Sequence, residues 1–235
     1  MNDIEAHRQE VSITQYITEE DRIQYGLDRQ DGSTTYRMEP SQFEALGSEI
    51  YDRVMNDGHT LVVGYGDVDF LKLVNSEFGH SGGDTIIEVV AHSIRQEADF
   101  AVRLGGDEFV FLAIVKSKDD AHIIEDRING NMGQFLNSAE GAKYNNLGSG
   151  LSLGVACATA EDQISFEDLL AQADHNANVN KIEKVNSWSE TDKQSLLELY
   201  TIMIEKGIKS ADFIKFIAFI ALEESLRRES DDPNN

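Results

Sequence analysis

The segment Arg103-Leu104-Gly105-Gly106-Asp107-Glu108-Phe109-Val110-Phe111-Leu112 constrains this chain more than any other. Two adjacent glycines and two carboxylates stand between short apolar runs. Such a glycine pair predicts a hairpin turn, because glycine enters positive-φ backbone without a Cβ clash. The bare backbone of Gly105 and Gly106 also lets a ligand approach closely. Asp107 and Glu108 fall at the turn, where hard oxygen ligands suit Mg²⁺. An acidic hairpin tip alone is a common surface feature, and it gains meaning from a second segment.

That segment runs from Thr60 to Asp84. Leu61-Val62-Val63-Gly64-Tyr65-Gly66 predicts a buried strand that ends in Asp67-Val68-Asp69. Phe70, Leu71 and Lys72 follow, then Asn75, then Gly79-His80-Ser81-Gly82-Gly83-Asp84. A carboxylate at a strand end and another at a hairpin tip can share a divalent ion if the strands are neighbours. Lys72 can meet phosphate. Asn75 and Asp84 offer an amide and a carboxylate, suited to an edge such as that of guanine, which both donates and accepts.

Together the two segments resemble the GGDEF domain of diguanylate cyclases. The family pattern Asp-x-Asp-x-Phe-Lys-x-x-Asn-Asp-x-x-Gly-His-x-x-Gly-Asp is matched by Asp67 to Asp84, and its Gly-Gly-(Asp/Glu)-Glu-Phe by Gly105 to Phe109. Leu71 replaces a phenylalanine and Ser76 an acidic residue. Gly150-Leu151-Ser152-Leu153-Gly154-Val155-Ala156 is similar to a further family strand. The likeness covers roughly residues 45–187. It implies an α/β (α+β) sandwich of the nucleotidyl-cyclase and polymerase-palm type, with a central, mainly antiparallel sheet flanked by helices.

The resemblance also implies a reaction. Two GTP molecules condense to cyclic di-GMP, a second messenger, as the 3′-hydroxyl of one attacks the α-phosphorus of the other and pyrophosphate leaves, twice. Mg²⁺ or Mn²⁺ is then held by Asp67, Asp107 and the carbonyl of Val68. Glu108 joins a second metal, or stabilises and accepts a proton. Asn75 and Asp84 read guanine. Phe70, Leu71, Lys72 and Lys181 bind phosphate, and Gly105 and Gly106 form the turn. Asp84 also suits a helix cap, Asp69 a solvated turn, and His80 a structural place in its loop. The family's arginine four positions after the second lysine is Val185 here, leaving Lys184 or Arg103 to supply part of its charge. The family's inhibitory Arg-x-x-Asp reads Gln96-Glu97-Ala98-Asp99, with Arg95 one residue early and turned about 100° along a helix end.

The chain has 235 residues, one medium domain with extensions. A formal net charge of −23 argues against nucleic acid as a partner and requires a nucleotide site to concentrate its few cations locally. Cys157 is the only cysteine, which excludes an intramolecular disulfide and a cysteine-rich zinc site, and it is expected buried in its strand. No signal peptide is recognised, and the apolar stretch around Phe213 to Leu222 is too short to span a bilayer. The expected location is the cytoplasm.

Three regions are expected. Residues 1–44 form a polar arm with a short helix whose stripe is Ile13, Tyr16, Ile17 and Ile23, and with a loop at Gly32-Ser33-Thr34-Thr35. Residues 45–187 form the catalytic domain. Its helices are predicted around Phe43–Met55, from Asp84 through Ile94, over Asp119–Phe135 and over Phe166–Asn180, with a polar loop from Asn137 to Leu147. Residues 188–235 form a helical hairpin, capped by Ser189 and Ser210, with an acidic, disordered end. The hairpin either covers the domain or builds a dimer interface.

The leading expectation is an active cyclase working across a homodimer, since each domain holds one GTP. The alternative is a catalytically inactive GGDEF module that binds GTP or cyclic di-GMP as a regulator. The arm and the C-terminal helices are the surfaces available to a protein partner.

Overall fold

The computed structural model describes residues 11–27 and 35–205. A five-stranded sheet lies at its centre. Its strands are β1 (Tyr36–Arg37), β2 (Thr60–Asp69), β3 (Phe100–Arg103), β4 (Glu108–Val115) and β5 (Gly150–Ala158), in the spatial order β1-β3-β4-β2-β5. β1 runs parallel to β3 and every other pair is antiparallel. This is the mainly antiparallel α+β sheet that the family likeness implies.

Alternation along β4 builds the two faces. Phe109, Phe111, Ala113 and Val115 point into one apolar core, shared with α3 (Leu71–Glu97) and α4 (Ala121–Leu136). Val110, Leu112 and Ile114 point into the other, shared with α2 (Pro40–Asn56) and α6 (Phe166–Asn186). A sheet covered on both faces carries near-continuous apolar runs, which is why β4 lacks a polar side. Gly154 sets how closely α6 lies on β5, because a Cβ there would collide with the backbone of Ala173 and Ala177. That close approach brings the next turn of α6, with Lys181, over the strand ends.

The N-terminal arm packs onto the second core. A 3-10 turn, Ile13–Tyr16, and α1 (Glu19–Tyr25) bury Ile13, Tyr16 and Ile17. Ile23 departs from its expected place: it is 73% exposed, and Leu27, after the left-handed Gly26, is buried instead. Arg53 of α2 ties the arm down by donating to Asp21 Oδ2 at 2.5 Å and to the Tyr16 carbonyl at 2.8 Å.

Two helix expectations are corrected. α3 begins at Leu71, not at Asp84, and is broken at Gly79, where φ is 72°. Asp84 thus lies within the second half of the helix and does not cap it. The loop between α4 and β5 also holds a short helix, α5 (Ala142–Asn145). Of the C-terminal hairpin, α7 (Glu190–Glu205) is present, with Ser189 Oγ accepting from the Asp192 N–H at 3.1 Å. The second helix, Ser210 and the acidic end lie outside the described residues. Cys157 is half-buried, with its thiol toward the Lys118 carbonyl.

Candidate active site

The hairpin and the strand end meet because β2 and β4 are neighbours. Asp67 stands opposite Glu108 on one side and opposite Ser152 of β5 on the other. Residues directly opposite in antiparallel strands project to the same face, so the three form a row at one end of the α2/α6 side of the sheet. The Val68 N–H donates to the Asp107 carbonyl at 2.8 Å, and the Leu104 N–H to the Glu108 carbonyl at 3.0 Å, closing the turn. Neither Gly105 nor Gly106 takes a positive φ; among the described residues the left-handed glycines are Gly26, Gly58, Gly79 and Gly148. Space is what Gly105 supplies. A Cβ there would come within 2.7 Å of Glu108 Oε2, whereas one on Gly106 would meet nothing.

A cavity of about 640 Å³ opens beside this row. Asp67, Phe70, Lys72, Asp107, Glu108 and Lys181 all line it, together with Tyr65, Ser152, Asp174, Asn178 and Val185. Lys181 reaches down from α6 to pair with Asp67 Oδ1. Burial pushes the Asp67 carboxyl up to about 6; Lys181 opposes this shift, while the charges of Asp69 and Asp107 add to it. Tyr65 donates from its hydroxyl to Glu108 Oε1 at 2.8 Å. Its own pKa is driven well above the usual tyrosine range, by burial first and then by Glu108.

Asp69 does not simply cap or solvate the turn, the role expected of it. It is 1% exposed, accepts from Ser152 Oγ at 2.7 Å and pairs with Lys184 Nζ at 2.7 Å. Lys184 is therefore engaged beneath the site, and Val185, at the place of the family arginine, is buried. A buried carboxylate needs such partners, and these fix the end of β2 from which Asp67 projects.

At Phe70 the chain turns from β2 into α3. Phe70 holds φ 55° and ψ 29°, a left-handed conformation strained for a residue with a Cβ. Its ring packs on Trp188 at 5.8 Å. The first-turn N–H groups of an α-helix have no acceptor within the helix, so the turn carrying Leu71 and Lys72 presents donors and a partial positive charge.

Asn75 and Asp84 flank the Gly79 break from opposite sides. Asn75 packs so closely on Gly83 that a Cβ there would strike its side-chain amide. Neither residue lines the 640 Å³ cavity. Arg103 links the two regions: burial and Arg37 lower its pKa, while Asp84 and Asp107 both raise it. Its Nη2 donates to the Gly106 carbonyl at 2.5 Å. At the far end of α3, Gln96 pairs with His92 at 3.1 Å, and Arg95 bends back to donate to the Asp99 carbonyl at 2.5 Å.

Tyr65, Ser152 and the Asp69–Lys184 pair escaped the sequence reading. Tyr65 was within its reach, since it lies two residues before Asp67 and strand period puts both on one face. Ser152 and Lys184 depend on the register of β5 and the seating of α6, which no local pattern encodes.

Among the described residues no three His, Cys, Asp or Glu side chains converge tightly enough to hold a metal ion unaided. Mg²⁺ seldom uses such a cage: one or two carboxylates, waters and substrate phosphates suffice. Asp67, Asp107 and Glu108 are hard oxygen donors on one cavity wall. The donor set fits a divalent ion completed by phosphate.

The chain belongs to the diguanylate cyclase GGDEF-domain family, whose model matches residues 41–187. An uncharacterized signaling protein of Caulobacter vibrioides is 33% identical over 158 residues, 66% of this chain and 19% of that protein. Diguanylate cyclase TpbB of Pseudomonas aeruginosa is 37% identical over 100 residues, 41% of this chain and 22% of that protein. The solved GGDEF domain of TpbB matches with a TM-score of 0.52 at 27% identity, over 66% of this chain and 90% of that one. The matches span about a fifth of the length of these two curated relatives. No helix among the described residues is long and apolar enough to cross a membrane.

Proposed function

We propose that this chain is a diguanylate cyclase that converts two GTP into cyclic di-GMP and two pyrophosphates across a homodimer. One observation carries the reading: the glycine turn sets Asp107 and Glu108 beside Asp67 on the wall of an open cavity that also receives Lys72 and Lys181. Acidic donors for a cation and lysines for a triphosphate stand within one nucleotide-sized space. Mg²⁺ or Mn²⁺, held by Asp67, Asp107, Glu108 and the Val68 carbonyl, would neutralise phosphate charge and acidify the attacking hydroxyl.

The chain's own groups do the rest. Lys72 and Lys181 hold phosphate, and the α3 turn at Phe70, Leu71 and Lys72 presents N–H donors to it. When a nucleotide and its cation arrive, Lys181 can exchange Asp67 for phosphate. Glu108, besides meeting the cation, would take the proton of the 3′-hydroxyl. Asn75 and Asp84 hold guanine, because a carboxylate accepts from its N1–H and amine and repels the N1 acceptor of adenine. The second GTP comes from a facing copy, which makes turnover dimeric.

Incubation of the purified protein with GTP and Mg²⁺, with products resolved by mass, tests this reading; cyclic di-GMP and pyrophosphate are expected. One observation favours the non-catalytic alternative. Lys184 is engaged by Asp69 and Val185 is buried, so the triphosphate has fewer cations than the family pattern supplies. GTP binding without product would select that alternative.

A further inference from the structure

Glu108 is held by one carboxylate oxygen and lies over bare backbone with the other. Tyr65 donates to its Oε1 at 2.8 Å. Its Oε2 lies over Gly105, so close that a Cβ there would sit 2.7 Å away. Tyr65 is anchored in turn: it stands on the central strand β2, opposite Val110, and packs against the core shared by α2 and α6. It lines the same cavity as Asp67, Asp107 and Glu108. The motifs assign it no part, since they begin at Asp67.

The chemistry of the donor matters. Asp67 is paired through Oδ1 with a cation, Lys181, which competes with a metal for its charge. Glu108 receives a neutral hydroxyl instead. A hydroxyl fixes one oxygen in space yet leaves the carboxylate charge, and its second oxygen, for an incoming cation. A lysine or arginine at the same place would compete with that cation for the charge. The bulk of Tyr65 is apolar packing and its hydroxyl is the only polar atom of the side chain, so the two contributions can be separated by removing one atom.

We propose that Tyr65 is a positioning residue that orients Glu108 for a divalent ion, with Gly105 as the bare floor that allows this orientation. The proposal rests on the cyclase reading for its turnover measurements, but not for its binding measurement. Outer-shell partners of metal ligands typically contribute about 10–100-fold to metal affinity or activity, and an effect of that size is expected here.

Mn²⁺ binding is measured on the full chain by electron paramagnetic resonance, with a non-hydrolysable GTP analogue present. Tyr65→Phe should weaken Mn²⁺ binding about tenfold or more, with its thermal midpoint within a few degrees of wild type. Glu108→Gln should weaken it too. The double variant should bind no more weakly than Glu108→Gln alone, within about twofold, because residues acting through one group are not additive. In turnover, Tyr65→Phe should raise the Mg²⁺ concentration for half-maximal rate while the KM for GTP stays within about twofold. Wild-type Mn²⁺ affinity in Tyr65→Phe, or multiplying losses in the double variant, overturns the proposal. Failure of the wild type to bind Mn²⁺ with the analogue overturns it as well. Wild-type protein that binds Mn²⁺ but forms no cyclic di-GMP removes the cyclase reading and leaves the binding test decisive. Should Tyr65→Phe fail to fold, Gly105→Ala tests the same grip from its other side and should give the same loss of Mn²⁺ affinity.

Discussion

Asp67 keeps a charge in a place that resists it. Burial is the main cause that pushes its carboxyl up to about 6, and Lys181 offsets only part of that cost. Residues poised in this way serve function at the expense of stability. Asp67→Asn should therefore abolish cyclic di-GMP formation without lowering the thermal midpoint, as mass-resolved products and thermal unfolding would show. Asp107→Ala should abolish it too, and full activity in either variant would remove both residues from the metal site. Asn75 and Asp84 lie outside the cavity that holds the metal end, on either side of the Gly79 break. Their donor and acceptor pattern suits guanine, so GTP should be preferred to ATP by about a hundredfold or more in kcat/KM. A mixed cyclic product from equimolar nucleotides would count against that role.

At the scale of elements, two helices carry predictions. α1 is held to α2 by the Asp21–Arg53 pair, whose aspartate side chain is 4% exposed. Burial alone would raise the Asp21 pKa, but the bonds from Arg53 and Thr18 outweigh it and hold it below its ordinary 3.8. A depressed carboxyl stabilises the fold fully above its unfolded value and loses that contribution as pH falls through the folded one. The arm should thus loosen below pH 3.8. Asp21→Asn should cost about 2 kcal/mol at pH 7, between exposed and buried pairs, with faster amide exchange in α1. The C-terminal end of α3 bears on feedback. Gln96 faces His92, and Arg95 is drawn to a backbone carbonyl. No arginine stands at the Gln96 position to pair with Asp99 in binding product phosphate or guanine. Product inhibition should be weak, and tight cyclic di-GMP binding that is lost in Asp99→Ala would contradict this.

For the whole molecule, the proposed condensation of two GTP would make assembly the natural point of control. Specific activity should rise with protein concentration as dimers form, followed by light scattering alongside turnover. The chain after Trp188 is one surface for this. α7 lies against α3, and Trp188 seats on Phe70 at the turn that starts α3. Removing residues 189–235 should change the concentration dependence if the tail holds the dimer; unchanged self-association would exclude the tail from that role.

The local signals were strong where chemistry is contiguous. The apolar runs predicted β2 and β4, the family likeness pointed to β5, the 3.6-residue period predicted α2, α4 and α6, and the motif from Asp67 to Asp84 with Gly105 to Phe109 led to the family. Spacing along one strand or one turn is fixed by covalent geometry, so sequence alone can place such residues relative to each other. Tertiary structure decided what depends on long-range packing. It made α3 start at Leu71, because Phe70 adopts a left-handed turn packed against Trp188, 118 residues further on. It left Ile23 in solvent and buried Leu27. It gave Asp69 to Lys184 and Ser152, and Glu108 to Tyr65. Each of those pairs joins different strands or a strand and a helix, and its existence follows from sheet register and from how closely α6 can approach Gly154. Those are properties of the packed molecule, set by contacts that no short stretch of chain contains.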